Sequence, residues 1–280
     1  MKCLHAGWLA SLPETLRDEL VRSLTPDQAF SILNDWRFWA RPNQLPPEGE
    51  WRVWLLLAGR GFGKTRTGAE LVRARAASGS ARRIAFVAPT AADARDVMVE
   101  GESGILRISP LRERPRYEPS KRRLTWPNGA IATLFSADEP ERLRGPQHDL
   151  AWCDELAAWR YPEAWDMLMF GLRLGQDPRA IVTTTPRPTP LIRTLLADPT
   201  VVVTHGRTAE NRRNLAPAFL EQIVSSTLAI CGVVERRSDL AVMAGCPRQE
   251  TPPCPSWTCP ALVERYWLIW RHVFRTEPGW

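Results

Sequence analysis

A glycine-rich turn at residues 58–65, which reads AGRGFGKT, carries the clearest chemistry in the sequence. The spacing matches a Walker A motif, with Ala58 replacing the usual first glycine. In such a turn, backbone N–H groups converge on phosphate oxygens and the following helix points its positive end at them. Lys64 would add a charge at the β- and γ-phosphates, and Thr65 a hydroxyl for Mg²⁺. This phosphate turn predicts nucleotide binding; the alternative is a plain glycine turn between strand and helix.

The surroundings of the phosphate turn favour the nucleotide site. An apolar, strand-like run precedes the turn and a stretch with helical spacing follows it, which is the context that the motif requires. Arg60 would bring a second cation near the phosphates, unless it is a solvated loop arginine. We expect nucleotide contacts from six consecutive residues: Arg60, Gly61, Phe62, Gly63, Lys64 and Thr65.

A second chemical signal is an acidic pair, Asp154 and Glu155, which directly follows an apolar, strand-like run. Ligands of open α/β sheets bind at the carboxyl ends of strands. In a nucleotide hydrolase, Asp154 would hold the Mg²⁺ shell and Glu155 would orient or deprotonate the attacking water. An Asp-Glu pair after a strand is also a common helix start. Together with the phosphate turn, however, the pair favours hydrolytic chemistry.

Two further segments carry polar residues that could serve the same site. The strand-like run IVTTTP contains Thr183, Thr184 and Thr185, which could respond to the γ-phosphate, although threonine favours strands in any case. Ahead of the acidic pair, a basic turn with Arg142 and Arg144 could stabilise transition-state charge in its own site or in a neighbouring subunit's. The alternative for this basic turn is a solvated surface loop.

The elements that must position these residues are typical of an α/β domain. Short apolar runs alternate with helical stretches, as in parallel sheets that are covered on both faces. We predict strands at residues 53–58, 84–88, 150–153, 180–184 and 201–205. We predict helices at residues 66–77, 91–99, 162–174 and 190–196. Alternating residues 123–136 around Asn128 and Gly129 predict an antiparallel hairpin. The predicted fold class is α/β, with a mainly parallel sheet flanked by helices.

Outside this domain the chain changes character on both sides. Apolar residues recur at helical spacing through residues 12–35, with a break where Thr25 and Pro26 start a second helix. Toward the other end, cysteine, tryptophan and proline become dense, and periodicity is lost except in a short amphipathic stretch at 261–274. We expect an N-terminal helical region, the α/β domain and an atypical tail at residues 1–35, 36–225 and 226–280.

Composition and charge set weaker limits. The net charge of +6 and the pI of about 9.3 permit a nucleic-acid partner without requiring one. No apolar run reaches the roughly 18 residues of a membrane span, and no secretory signal is recognisable, so we expect a cytoplasmic protein. None of the six cysteines, four of which lie in the tail, forms a CxxC pair, which disfavours a zinc site.

Taken together, these motifs resemble the terminase large subunits of tailed bacteriophages and of gene transfer agents. The similar segments follow the family's order and span roughly residues 30–225. They are residues 39–47, 57–70, 142–159, 183–187 and 208–215. The resemblance implies a P-loop NTPase fold of the additional-strand catalytic-glutamate class. It also implies an ATPase that uses ATP and Mg²⁺ and drives double-stranded DNA into an empty capsid. Such an ATPase would form a homo-oligomeric ring at the portal protein and work with a small terminase subunit. No membrane would be involved.

Carried over position by position, the resemblance gives roles to single residues. Gln44 would approach the adenine, while Arg60 and Lys64 would contact phosphates. The acidic pair keeps the roles given above. The three threonines at 183–185 would form the coupling motif that links hydrolysis to movement. One of the two arginines of the basic turn would be a finger that reaches across the ring.

The sequence departs from the family in its last part. Family members continue into an RNase H-like nuclease domain whose spaced aspartates bind two metal ions, and residues 226–280 lack such a carboxylate set. Residues 220–224 still resemble the family, so we hypothesise a frameshift or truncation and expect no endonuclease activity in this chain. The alternatives for the whole chain are an inert prophage remnant and a helicase or other DNA translocase. A pure binding module would not need Asp154 and Glu155 together.

Overall fold

A computed structural model describes residues 5–223 of the chain. These residues divide into two compact units, at 5–45 and at 46–223. The expected boundary between a helical region and the α/β domain after residue 35 stays a prediction. The tail at 226–280, with its four cysteines, its helical stretch and the proposed change of reading frame, lies outside the described residues.

The first unit is helical, as its periodicity predicts. Its helices are α1 (Ala6–Ser11), α2 (Glu14–Ser23), α3 (Pro26–Asn34) and α4 (Trp36–Trp39). The break at Thr25 and Pro26 is confirmed: the Thr25 hydroxyl accepts a hydrogen bond from the N–H of Gln28, whose side chain accepts one from the Thr25 N–H. This capping box starts α3, with Pro26 at the first helical position. Helix α1 was not predicted, because six residues are too few to establish a period.

The second unit is built on one eight-stranded sheet. Its strands are β1 (Val53–Ala58), β2 (Arg83–Ala88), β3 (Arg116–Glu118), β4 (Arg123–Thr125), β5 (Ile131–Ser136), β6 (Leu150–Asp154), β7 (Arg179–Thr184) and β8 (Val201–Gly206). Their order across the sheet is β3-β4-β5-β2-β6-β7-β1-β8. Only the β3–β4 and β4–β5 pairs are antiparallel among the pairings of these strands. The predicted hairpin and the mainly parallel α/β sheet are both confirmed.

The helices of this unit pack on alternate residues of the strands. They are α5 (Lys64–Ala77), α6 (Ala91–Asp93), α7 (Ile105–Ile108), α8 (Glu163–Gly171) and α9 (Pro190–Ala197). On β1, Trp54 belongs to a buried cluster with α5, whereas Leu55 belongs to a second cluster with α8 and α9. Because neighbouring residues of a strand point to opposite faces, helices cover both sides of the sheet. In the part of the chain that the structure describes, no helix has the length and apolar character of a membrane span.

Two helical predictions differ from the structure in detail. The stretch predicted as a helix at 91–99 begins as α6 and continues as a π-helix at Ala94–Val99. The helix predicted at 162–174 ends as α8 at Gly171, because the residues beyond it are held by β-type bonding. Leu172 forms a parallel bridge with His148, whose carbonyl also accepts the N–H groups of the next two residues.

The strand order brings three strand ends together at one edge of the sheet. Strand β7 lies between β6 and β1 and is parallel to both. In this register Asp154 stands beside Thr183, and Leu57 stands beside Thr184. The phosphate turn after β1, the acidic pair at the end of β6 and the threonines at the end of β7 therefore meet at the carboxyl edge of the sheet, where α/β proteins bind ligands.

Candidate active site

The phosphate turn connects a fully buried strand to a long helix. Every residue of β1 is buried, and α5 begins at Lys64, directly after Gly63. Gly61 and Gly63 have φ angles of 75° and 97°, which residues with a Cβ atom rarely adopt. The glycine spacing of the motif is therefore required by the backbone path of the turn itself.

Lys64 joins the phosphate turn to the acidic pair. Its side chain is only 8% exposed, and its Nζ lies 3.3 Å from the carbonyl oxygen of Gly59 and 3.4 Å from Oε1 of Glu155. A largely buried ammonium group needs such oxygen partners, since its desolvation is costly. The lysine is thus held between the two motifs that the sequence predicted to act together.

Asp154 is a buried carboxylate at the end of β6. It is 5% exposed, and its Oδ1 accepts a hydrogen bond of 2.6 Å from the Thr183 hydroxyl. Burial raises the pKa of Asp154 to about 7, as does the charge of Glu155; the Thr183 bond and the charge of Lys64 oppose the rise. A cation bound beside this carboxylate would favour its charged form.

Glu155 follows with an unusual backbone conformation. Its φ and ψ are 47° and 45°, a left-handed region that is uncommon for residues other than glycine. Its N–H donates to the carbonyl of Thr183 at 2.6 Å, and its Oε2 accepts bonds from the hydroxyl (2.6 Å) and the N–H (3.2 Å) of Thr185. The side chain remains 35% exposed. Backbone strain that is fixed by several bonds is found mainly at functional sites, and here it directs Glu155 toward Lys64.

The three threonines at the end of β7 all contact the segment with the acidic pair. Thr183 and Thr185 bond the two acids as described above. The hydroxyl of Thr184 accepts a 3.0 Å bond from the N–H of Ala157, in the 3-10 turn at Leu156–Ala158 that follows the acids. A displacement of β7 would therefore be felt by both carboxylates and by the turn beyond them.

Trp152 is a contributor that the sequence analysis missed. Its Nε1 donates a 2.9 Å hydrogen bond to the Thr183 hydroxyl, which in turn donates to Asp154. Its indole lies directly against Gly68 of α5, where any Cβ atom would overlap it. The sequence shows a glycine inside a predicted helix and a tryptophan inside a predicted strand. Only the order of the strands shows that these two residues are in contact.

A second missed contribution comes from the outer segment, residues 208–215. It forms a 3-10 turn at Thr208–Asn214 that contacts the phosphate turn. The Thr208 hydroxyl donates to the Arg60 carbonyl at 2.8 Å, and Asn211 Nδ2 donates to the Gly61 carbonyl at 2.6 Å. In the sequence these residues were marked only by the family resemblance.

The basic turn makes local and exposed contacts. Arg142 pairs with Glu139, and Arg144 lies 3.3 Å from Glu141; the two arginine side chains are 61% and 70% exposed. Both ion pairs join residues three apart in and around the 3-10 turn at Pro140–Leu143. Both arginines stay predictions for the finger.

Three other predicted nucleotide contacts lie in different surroundings. Arg60 is exposed in the phosphate turn, and Thr65 is half-buried in the first turn of α5. Gln44 belongs to the first unit, where its side-chain oxygen accepts a 3.2 Å hydrogen bond from the N–H of Arg41. Their roles in phosphate, metal and adenine binding stay predictions.

The donor groups fit a nucleotide with bound Mg²⁺. Asp154 and Thr65 offer carboxylate and hydroxyl oxygens, the ligand type that Mg²⁺ prefers. Among residues 5–223, no group of three or more His, Cys, Asp and Glu side chains could hold a metal by itself. Mg²⁺ commonly takes one or two protein ligands and completes its shell with phosphates and water.

Comparisons with solved structures find proteins with a similar fold. Among solved structures, the large terminase ATPase domain of Thermus phage P74-26 superposes with a TM-score of 0.54 at 16% identity, covering 73% of this chain and 93% of that domain. The large terminase of a thermophilic bacteriophage in complex with ADP superposes with a TM-score of 0.50 at 16% identity, covering 69% of this chain and 48% of that one. The chain thus matches about half the length of that second protein. These similarities support the shared fold.

A search of curated proteins finds no match. The family model described as terminase large subunit, T4likevirus-type, N-terminal, matches residues 55–237. The match spans more than half of the sequence and includes the phosphate turn, the acidic pair and the threonines of β7. The chain therefore belongs to this family of terminase large subunit N-terminal domains.

Proposed function

We propose that the chain is the ATP-hydrolysing motor of a terminase large subunit, which couples ATP hydrolysis to the translocation of double-stranded viral DNA into a procapsid. One observation carries the proposal: Lys64 of the phosphate turn lies 3.4 Å from Glu155, directly after the buried Asp154. A binding module needs a phosphate turn alone. The pairing of that turn with two acids at neighbouring strand ends is what hydrolysis requires.

The proposed roles follow from the chemistry of each group. Backbone N–H groups of residues 60–63 bind phosphate oxygens, and the Lys64 ammonium binds at the β- and γ-phosphates. Thr65 and Asp154 hold Mg²⁺, which neutralises phosphate charge when bound. Glu155 orients the attacking water or accepts its proton. Arg60 and Gln44 contribute a phosphate contact and an adenine contact.

Binding of a triphosphate would change the partners of Lys64 and Glu155. The Lys64 ammonium exchanges its contact with Glu155 for phosphate oxygens, which carry more negative charge. Glu155 then retains Thr185 on Oε2 and has Oε1 available for water. The carboxylate is therefore positioned before the nucleotide arrives and becomes available as a base only after it has bound.

Coupling to movement is proposed for Thr183 and Thr184 at the end of β7 and for Thr185 directly after it. Thr183 and Thr185 each bond one of the two acids, so a change at the γ-phosphate reaches β7 through short hydrogen bonds. The basic turn supplies the finger: its exposed Arg142 and Arg144 can reach toward a neighbouring subunit of a homo-oligomeric ring. The proposed partners are double-stranded DNA, the portal protein and a small terminase subunit, in the cytoplasm of a bacterial host.

Phosphate release from ATP by the purified full chain, with and without double-stranded DNA, tests the proposal. Lys64→Ala should abolish ATP binding, because it removes the charge at the phosphates. Glu155→Gln should retain ATP binding and lower kcat by about a hundredfold or more. Lys121→Ala is the matched control, since Lys121 pairs with Glu118 at the surface of the same unit. Hydrolysis by Lys64→Ala at the wild-type rate, or wild-type protein that binds no ATP, would overturn the proposal.

A further inference from the structure

Two side chains of the outer segment hold the phosphate turn by hydrogen bonds to carbonyl groups of the turn. Thr208 Oγ1 donates to the carbonyl of Arg60 and Asn211 Nδ2 to the carbonyl of Gly61, at 2.8 and 2.6 Å. The two donors are 148 and 150 residues away from their acceptors in the sequence. Two consecutive peptide groups of the turn are therefore fixed by a part of the chain that carries none of the predicted catalytic groups.

Contacts of the outer segment also account for glycines in the phosphate turn. A Cβ atom at Gly59 would overlap Thr208 Oγ1, and a Cβ atom at Gly61 would lie 2.9 Å from Leu215 Cδ2. The Phe62 ring of the turn packs against Gly206 of β8 so closely that a Cβ atom at Gly206 would overlap the ring. Gly59 and Gly61 therefore leave space for side chains of the outer segment. This requirement for glycine is separate from any need for space around a bound phosphate.

Fixing a carbonyl also fixes the N–H group of the next residue. In a trans peptide the two groups point in opposite directions, so bonds to the carbonyls of Arg60 and Gly61 orient the N–H groups of Gly61 and Phe62. The Phe62 N–H donates to the Gly59 carbonyl at 3.3 Å, the same oxygen that Lys64 Nζ contacts. The two donors therefore share one acceptor within the turn, and phosphate oxygens would replace it when a nucleotide binds.

The orientation of the Asn211 amide is set by a further hydrogen bond. Asn214 Nδ2 donates to Asn211 Oδ1 at 2.9 Å, which occupies the acceptor end of that side chain. Its donor end is then the one that faces the Gly61 carbonyl. The 3-10 turn therefore presents a defined donor to the phosphate turn.

We propose that Thr208 and Asn211 are positioning residues, which hold the peptide groups of the phosphate turn in the geometry that binds phosphate. The inference rests on the proposed nucleotide-binding function and deepens it.

Variants of the full chain with matched controls test the inference. Thr208→Val keeps the shape of the side chain and removes its donor, whereas Thr208→Ser keeps the donor. Asn211→Ala removes the second bond. Asn128→Ala is its control: Asn128 Nδ2 also donates to a backbone carbonyl, that of Ala76 near the other end of α5, at 2.7 Å.

Two measurements separate positioning from general stability. Thr208→Val and Asn211→Ala should each weaken ATP binding roughly five- to tenfold, as expected for one lost hydrogen bond, with kcat at saturating ATP changed less than about twofold. Amide hydrogen exchange without nucleotide should become faster at residues 60–63 in both variants. Thr208→Ser and Asn128→Ala should bind ATP as the wild type does.

Each outcome decides one claim. Wild-type ATP affinity in Asn211→Ala and Thr208→Val would overturn this inference and leave the proposed function intact. Equal losses of affinity in Asn128→Ala would also overturn it, because the effect would then be one of overall stability. Wild-type protein that binds no ATP would overturn the proposed function, whereas the exchange experiment without nucleotide still reports whether the outer segment holds the turn.

Discussion

Asp154 and Arg144 are proposed to serve the same reaction, yet their surroundings are opposite. Asp154 is buried and held by Thr183 from the neighbouring strand, whereas Arg144 is mostly exposed and pairs with Glu141 in its own turn. The acid end of the site, which we define as Asp154, Glu155 and the threonines that bond them, is therefore assembled by the fold of one chain. The basic turn instead carries exposed side chains, and its proposed role as a finger is one that a neighbouring subunit would use.

The difference has an energetic consequence. An exposed ion pair between residues three apart contributes only about 0–1 kcal/mol, so either arginine of the basic turn can leave its glutamate at little cost. The hydrogen bonds around Asp154 are buried, and leaving one of their groups unpaired costs roughly 1–3 kcal/mol. Exchange of partners would therefore cost less free energy at the basic turn than at Asp154.

The largest effect on the ATPase rate is expected for the arginines of the basic turn, and it would sharpen the contrast between that turn and Asp154. One of the variants Arg142→Ala and Arg144→Ala should lower the DNA-stimulated ATPase rate about a thousandfold, as expected for loss of an arginine finger. The other should stay within about threefold of wild type, because its ion pair is only a surface contact. Neither should change the free energy of unfolding measurably. Steady-state phosphate release and urea unfolding are the measurements.

Mixing variants tests whether the finger acts between subunits. A preparation of the inactive arginine variant combined with Glu155→Gln should regain part of the activity, because some interfaces then pair an intact arginine with an intact glutamate. No recovery in the mixture would place the arginine in its own site and remove the proposed difference between the two regions.

A second test concerns the packing beneath the acid end. Gly68→Ala should lower the free energy of unfolding by about 3 kcal/mol, because the added Cβ overlaps the buried indole of Trp152. Urea unfolding is the measurement, and Ala74→Leu, at an exposed position of the same helix, is the control with a change below about 0.5 kcal/mol. A Gly68→Ala protein as stable as wild type would show that α5 and β6 adjust to each other freely.

The sequence predicted those elements of the second unit that depend on a local pattern of residues. Apolar runs with sharp ends gave β1, β6, β7 and β8 nearly at their observed bounds, and the phosphate turn and the acidic pair followed from their neighbours in the chain. Strand β3 was missed because its three residues include an arginine and a glutamate, and the π-helix after α6 has no distinctive spacing.

Contacts between distant segments could not be predicted in the same way. The pairing of Trp152 with Gly68 requires a known strand order, as does the bond between Thr183 and Asp154. The bonds from Thr208 and Asn211 to the phosphate turn depend on β8 lying next to β1. Spacing along a chain identifies which residues could do chemistry, but the order of strands decides which of them meet.

A third test uses pH to examine the buried region. His148 is buried beside Phe135, and burial lowers its pKa to about 4, from an ordinary value of 6.5. Between these values the unfolded chain takes up a proton that the folded protein excludes, so the free energy of unfolding falls as pH falls from 6.5 toward 4. At about pH 5 the loss amounts to roughly 2 kcal/mol relative to neutral pH.

The variant His148→Phe should remove this contribution. Urea unfolding at about pH 7.5 and about pH 5 should show a smaller loss of stability in the variant than in wild type, by roughly 2 kcal/mol. His205→Phe, at an exposed position of β8, controls for the loss of an imidazole. If the free energy of unfolding changed with pH equally in wild type and His148→Phe, the folded protein would tolerate a charged His148. The surroundings of His148 would then be more accessible to water than those of Asp154.

The smallest expected effect isolates the link between β7 and the acidic pair. Thr183→Val keeps the shape of the side chain but removes the hydroxyl that accepts from Trp152 and donates to Asp154. We expect kcat to fall about fivefold, which corresponds to the loss of about one hydrogen bond at the site. Thr183→Ser keeps the hydroxyl and should stay within about twofold of wild type. ATPase rates at saturating ATP and Mg²⁺ are the measurement.

A titration of Mg²⁺ distinguishes two causes of such a loss. If Thr183 acts by holding Asp154, the Mg²⁺ concentration needed for half-maximal activity rises in Thr183→Val, since the carboxylate loses a partner that favours its charged form. If the Mg²⁺ requirement is unchanged and DNA stimulation is lost instead, Thr183 acts through β7 on movement. Unchanged rates in Thr183→Val would remove the Thr183 hydroxyl from both roles and leave the coupling role to Thr184 and Thr185.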